Sequence, residues 1–173
     1  MTSEQATTIL QFVGLPSLTA EHPVTARVIA AIPDDKVDYR PDEIIKSAID
    51  LAWHLVTAEV RFLTAVANGA FDLTPLPRPD NVRTAADVNR WYAENFAKAV
   101  ERLRQTPGEQ LIKPVDFRGL FQFPAVAYVQ LGLNHSIHHR GQLSMYLRPM
   151  GAKVPSIYGE SYDARMAREA QQA

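Results

Sequence analysis

The chain reads as an all-α protein: an antiparallel four-helix bundle with a short C-terminal extension. Three observations predict this. Four stretches carry apolar residues at helical spacing. Prolines and Asn-Gly or Pro-Gly pairs punctuate the gaps between them. Period-two strand patterns are barely represented. The chain has 173 residues, enough for one domain with a real core, and 1–173 is taken as a single domain.

A loosely patterned N-terminus precedes the first helix, expected over Thr19–Ala31 with Val24, Val28 and Ile32 in phase and Pro33 ending it. The second opens at Pro41, a favourable first helical position, with Asp42 and Glu43 at its positive end. Its apolar face runs through Ile44, Ala48, Leu51, Leu55, Ala58, Phe62 and Val66 to the stop at Asn68-Gly69. The segment Asp72–Asn81 contains Pro75, Pro77 and Pro79 and must be a surface connection. Thr84-Ala-Ala-Asp87 has the form of a capping box. The third helix follows it, burying Val88, Trp91 or Tyr92, Phe96, Ala99 and Leu103 before Pro107-Gly108. Val115–Phe123 is an aromatic-rich loop with room for a short extended piece.

Pro124 opens the fourth helix, which runs to about Arg148 and spans roughly 37 Å at 1.5 Å per residue. Tyr128, Gly132, His135, His139, Gln142 and Tyr146 share one of its faces. Gly132 and Gly141 each lower helix propensity, and close packing would explain both. Val154–Gly159 is a loop able to fold back, followed by a short Ala/Arg/Glu-rich helix.

Three of the five histidines fall within ten residues of that fourth helix. His135 and His139 are four apart and can aim at one point. His138, three after His135, can pair with it instead, so periodicity leaves the second ligand open. Two imidazoles hold a metal poorly, and the sequence-distant candidate for a third is His54, at the edge of the second helix's apolar stripe and facing a seam. Glu59 sits on a neighbouring flank of that helix. His22, beside Pro23 at the start of the first helix, is expected to be exposed. Arg140 and Gln142 are either groups supporting the ligands or helix-surface residues. Tyr158, Phe117, Phe121 and Phe123 are read as core or lid packing, and as the wall of the opening if a pocket forms there.

Other metal designs fail on the sequence. A di-iron carboxylate bundle needs two Glu-x-x-His motifs, and none is present. A zinc protease of the His-Glu-x-x-His type needs a glutamate where Ser136 stands. A closed structural zinc site needs four ligands, usually with cysteine, and there is no cysteine. Three histidines leave a position open, as a catalytic metal requires. The net charge of −1, without a basic block, argues against nucleic acid as a partner. Neither a signal-peptide pattern nor an apolar run of membrane-spanning length is found, so no membrane association is expected. The lack of cysteine fits a reducing cytosol, and a cytoplasmic location is expected.

These residues resemble those of the DinB-like (YfiT-related) metalloenzymes. The resemblance rests on a long second helix bearing His54, on Asn134-His135-x-x-x-His139-Arg140-Gly141-Gln142, and on Val154-Pro-Ser-Ile-Tyr-Gly. It extends to Asp38-Tyr39-Arg40-Pro41 and Phe71 and covers nearly the whole chain. It implies a three-histidine site of His54, His135 and His139, with His138 left as a neighbour, holding one divalent ion: zinc or nickel first, then iron or manganese. Characterised relatives include transferases and isomerases that use low-molecular-weight thiols. The resemblance thus implies a small-molecule substrate, a thiol S-transferase or related hydrolase, and a homodimer. The alternative is a non-catalytic metal-binding or stress-response protein.

Overall fold

A computed structural model describes residues 1–172. Helix α1 (Ser3–Ile9) starts from a capping box in which Thr2 and Gln5 satisfy each other's backbone N–H groups. A π-helical turn over Leu10–Gly14 carries it without a break into α2 (Leu15–Ala30). The first helical rod therefore begins sixteen residues before Thr19, its expected start. The buried positions Ala6, Leu10, Leu15 and Leu18 show why it escaped notice. The step from Leu10 to Leu15 is five residues, so the apolar phase slips where the π turn widens the helix. Pro16 is tolerated because it lies in the first turn of α2.

The second long helix, α3 (Ala48–Asn68), begins seven residues after Pro41. Ser47 caps it by accepting from the Asp50 N–H at 3.3 Å, while Asp42 closes a local turn onto the Ile44 N–H. Ile44 is 92% exposed and forms no part of the apolar face. Gly69, at φ 76°, ends the helix in the left-handed conformation that glycine permits. Helix α4 (Ala85–Arg104) carries the expected box, with Asp87 accepting from the Thr84 N–H at 3.0 Å and Thr84 from the Asp87 N–H at 3.2 Å. Tyr92, not Trp91, is its fully buried aromatic.

A short helix α5 (Gly108–Leu111) leads into an antiparallel hairpin of β1 (Pro114–Phe117) and β2 (Phe121–Pro124), with Val115 opposite Phe123. The extended piece expected in the aromatic loop is thus a two-stranded ribbon. Pro124 closes β2 and does not open a helix. The next two N–H groups bond back to Lys113 and Leu111, so α6 starts only at Ala127 and runs to Leu147. Helix α7 (Tyr162–Gln172) ends the described chain.

The bundle is formed by α2, α3, α4 and α6. Helices α2 and α3 each pack on both α4 and α6, which places α2 and α3 on a diagonal. Helix α3 runs antiparallel to α6: Lys46 meets Tyr146, His54 meets His139, and Phe62 meets Gly132. At Gly132 the two helices approach so closely that a Cβ would lie 2.7 Å from Phe62 Cβ. Gly141 has open space around it, so the close packing expected there is absent. Leu18, Ile29, Leu55, Leu63, Tyr92, Leu103 and Leu143 fill the centre, and the burial of each apolar chain contributes about 1.5–3 kcal/mol. Among the described residues no helix is long and apolar enough to cross a membrane.

Candidate metal centre

The antiparallel seam of α3 and α6 brings His54 against His135 and His139. Ring centroids are 5.2 Å apart for His54–His135, 4.8 Å for His54–His139 and 4.4 Å for His135–His139. One nitrogen from each ring lies within 4.8 Å of the others. His138 is exposed and stands outside this group, because its position on α6 turns it away from α3. The three sequence-distant histidines are thus gathered by one helix pair.

The electrostatics suit ligation. Burial pushes His54 and His135 down to about 4, helped in each by the charge of the neighbouring His139. Burial also lowers His139, against the opposing effect of its bond to Gln142. All three are therefore neutral near pH 7, the form in which imidazole binds a cation. His139 Nδ1 lies 3.0 Å from Gln142 Oε1. The amide oxygen accepts, so Nδ1 is the protonated nitrogen and Nε2 carries the lone pair. Nδ1 of His135 is buried without any hydrogen-bond partner. A buried polar atom left unpaired costs free energy that a bound cation or a partner would recover. The donor set therefore fits a divalent ion with a preference for nitrogen.

Behind the histidines lies a polar network that sequence reasoning missed. Glu59, which was assigned only to a flank, is 1% exposed and accepts a short hydrogen bond from the Tyr92 hydroxyl. Burial raises its carboxyl to about 7, although the Tyr92 bond pulls the other way. Arg140 is also 1% exposed, and donates to Glu21 Oε2 at 2.5 Å, to Thr25 Oγ1 at 3.3 Å and to the Tyr158 hydroxyl at 2.5 Å. It ties α6 to α2 and to the C-terminal loop. The sequence signal for it was its place in His139-Arg140-Gly141-Gln142, which left a group supporting the ligands and a surface residue as equal readings. His22, expected to be exposed, is half-buried and stacks on Phe96 with centroids 4.2 Å apart. The π turn lengthens the first rod and carries His22 into its middle, where burial lowers its pKa.

Two openings reach the cluster, and His54 borders both. The smaller, about 210 Å³, has an aromatic wall of Phe62, Phe71 and Phe117. The hairpin delivers Phe117 because the Tyr128 hydroxyl of α6 donates to Val115 O at 2.7 Å. Of the four aromatics expected around the opening, Phe117 lines it. Phe121 stacks behind Phe117 at 5.1 Å, and Phe123 behind Phe121 at 5.1 Å. Tyr158 is instead engaged with Arg140 and Glu21. The larger opening, about 540 Å³, is bordered by Lys46, Trp53 and Arg78 among others.

Known proteins share the sequence pattern and the fold of this chain. A profile of the DinB family matches residues 8–171. The chain is 31% identical over 130 residues to the protein YjoA of Bacillus subtilis (strain 168), covering 74% of this chain and 82% of that protein. It is 29% identical over 111 residues to YrdA of the same organism, covering 63% of this chain and 64% of that protein. The crystal structure of the DinB-like protein YjoA superposes with a TM-score of 0.67 at 27% identity, over 81% of this chain and 92% of that one. That of a DinB-like protein from Bacillus cereus gives a TM-score of 0.70 at 25% identity, over 84% of this chain and 95% of that one.

Proposed function

The chain belongs to the DinB family, and on that premise we propose that it is a divalent-metal-dependent enzyme transferring a low-molecular-weight thiol to a small electrophile. His54, His135 and His139 are its metal ligands in this reading. The observation that carries it is three neutral imidazoles with ligand atoms within 4.8 Å, of which His54 borders both openings and His135 the smaller one. A cluster sealed from solvent would suit a purely structural or storage role; His54 and His135 border open space.

A bound ion, zinc or nickel before iron or manganese, supplies the positive charge that holds a thiol as thiolate at neutral pH. The chain's own residues do the rest. The three rings present lone pairs because burial keeps them unprotonated. Gln142 holds His139 in one tautomer. Phe62, Phe71 and Phe117 offer an apolar wall against which an electrophile can rest with water excluded. The thiol must come from solution, since the chain has no cysteine.

The two carboxylates nearest the cluster are both engaged. Asp50 borders the larger opening but accepts from Ser47 at 2.7 Å and from Arg78 at 3.0 Å. Glu59 is buried against Tyr92. Neither is free to act as a general base, so a bound metal would itself have to lower the pKa of the attacking thiol, or of water in the related hydrolysis. The reading places the reaction in the cytoplasm, where small thiols stay reduced. It also includes a homodimer, for which Ile9, Phe12 and Val13, exposed by 45%, 75% and 53%, offer an apolar contact face. Light scattering at micromolar concentration tests the dimer; a monomer mass removes it.

The test of function is metal analysis of protein purified without an affinity tag, then a thiol-conjugation screen with a generic electrophile. A metal-dependent rate that is lost in His135→Ala supports the enzyme. Full metal loading with no rate for any thiol, ester or amide assigns the cluster to non-catalytic metal binding.

A further inference from the structure

The larger opening beside His54 has an unusual charge. Arg40, Lys46, Arg61 and Arg78 border it, against the one acid Asp50, in a chain whose net charge is −1. The Asp50 carboxylate is already shared by two of the cations, Arg78 Nε at 3.0 Å and Arg40 Nη2 at 3.8 Å. The other two make no ion pair with it. Arg61 donates to the carbonyl of Thr74 at 2.6 Å and is also within electrostatic reach of the Asp72 carboxylate. The Lys46 ammonium has no hydrogen bond or ion pair among the described residues.

The two residues lie on either side of His54 in the chain. Lys46 is fixed at the α3–α6 seam by its backbone carbonyl, which accepts from the Tyr146 hydroxyl at 3.4 Å, two turns beyond His139. Arg61 lies two turns beyond His54 on α3 and borders both openings. A concave surface with a net positive border concentrates counter-charge. Guanidinium and ammonium groups recognise oxyanions by charge-assisted hydrogen bonds. Trp53, held by its indole N–H to Leu76 O at 3.1 Å, gives the cleft a rigid apolar wall.

We propose that this cleft binds an anionic small molecule, its carboxylate or phosphate attracted by the combined charge of Arg40, Lys46, Arg61 and Arg78 along the border. The assignment rests on the metal-enzyme reading and deepens it. Of the two reactants, the anionic one enters through the basic cleft, and the apolar one meets the aromatic wall on the other side of His54. At about 540 Å³ the cleft admits a molecule of ordinary metabolite size.

The experiment is calorimetric titration of the full chain, zinc-loaded and chelated, with succinate, glycerol phosphate, and the neutral counterparts succinamide and glycerol. At least one anion should bind about 10-fold or more tightly than its neutral counterpart in both forms of the protein, and more weakly as salt rises. The preferred anion names the group as carboxylate or phosphate. Lys46→Gln and Arg61→Gln should each weaken that anion by about 10-fold, with zinc content and helical circular dichroism unchanged. Arg27→Gln, on the exposed surface of α2, should leave it unchanged. Equal binding of anion and neutral counterpart overturns the proposal, as does anion binding that requires zinc and is indifferent to Lys46 and Arg61. Failure to take up zinc overturns the metal reading alone, because titration of the metal-free chain still decides the cleft.

Discussion

His139 and Gln142 are joined through Nδ1 and Oε1 at 3.0 Å, one turn apart on α6. The bond fixes the imidazole plane and leaves Nε2 as the ring's free lone pair. Removing such a supporting bond typically weakens a metal site by about 10–100-fold. Gln142→Ala should therefore lower zinc affinity by that order, read by competition with a chromophoric chelator, while helicity is retained. Unchanged affinity would mean that the ring is oriented by packing alone.

The exposed His138 and half-buried His54 separate the cluster from its neighbourhood. His54→Ala should lose stoichiometric metal binding. His138→Ala should keep it, with affinity within a few-fold of the parent chain. Metal content by mass spectrometry after dialysis checks both, and the reverse pattern would reassign the ligand set.

Stability of the metal-free chain should carry opposing pH dependences. The fold lowers His54 and His135 from 6.5 to about 4, so between those values the unfolded chain binds more protons. Their contribution is present above pH 6.5 and is lost as pH falls through 4. Glu59 is raised from 4.5 to about 7, so there the fold binds the extra proton. Its contribution is present below pH 4.5 and is lost as pH rises through 7. Two histidines outweigh one glutamate, so the urea midpoint of chelated protein should rise between pH 4.5 and 6.5. Glu59→Gln should steepen that rise and remove the decline towards pH 7. A midpoint that falls across pH 4.5–6.5 would contradict the assignment of neutral, buried histidines.

The two glycines of α6 should respond to alanine with opposite signs. At Gly132 a methyl group meets Phe62 Cβ at 2.7 Å, and such overpacking costs about 1–3 kcal/mol. At Gly141 nothing lies within 4 Å, and alanine should stabilise the helix by up to about 1 kcal/mol. Urea titration of the two variants reads both changes. Because Gly132 sets the spacing of α3 and α6 beside His135, Gly132→Ala should also weaken zinc binding, which Gly141→Ala should not.

Local signals determined much of this molecule. The Thr84–Asp87 box and Gly69 are read by the chain within four residues of themselves, so the start of α4 and the end of α3 were legible without a structure. The spacing of His135 and His139 on one helix face was legible for the same reason. The start of α3 was not. Pro41 and Ser47 are both competent starts, and burial of Ala48 and Ile49 decided between them. The continuity of the first rod was hidden by a π turn that shifts the apolar phase.

What only the tertiary structure decided lies between helices. Glu59 and Tyr92 are 33 residues apart, and Arg140 and Glu21 are 119 apart. Nothing near any of these residues signals its partner. A charge on a helix flank has the same local sequence whether it faces water or a buried counter-charge. Likewise, the convergence of His54 with the α6 histidines, and of Lys46 and Arg61 with the cleft beside them, depends on how α3 packs along α6. The sequence alone determined which faces were apolar and which residues could bind a metal. The crossing of two helices determined which of them meet, because that relation is set by packing summed over the whole seam.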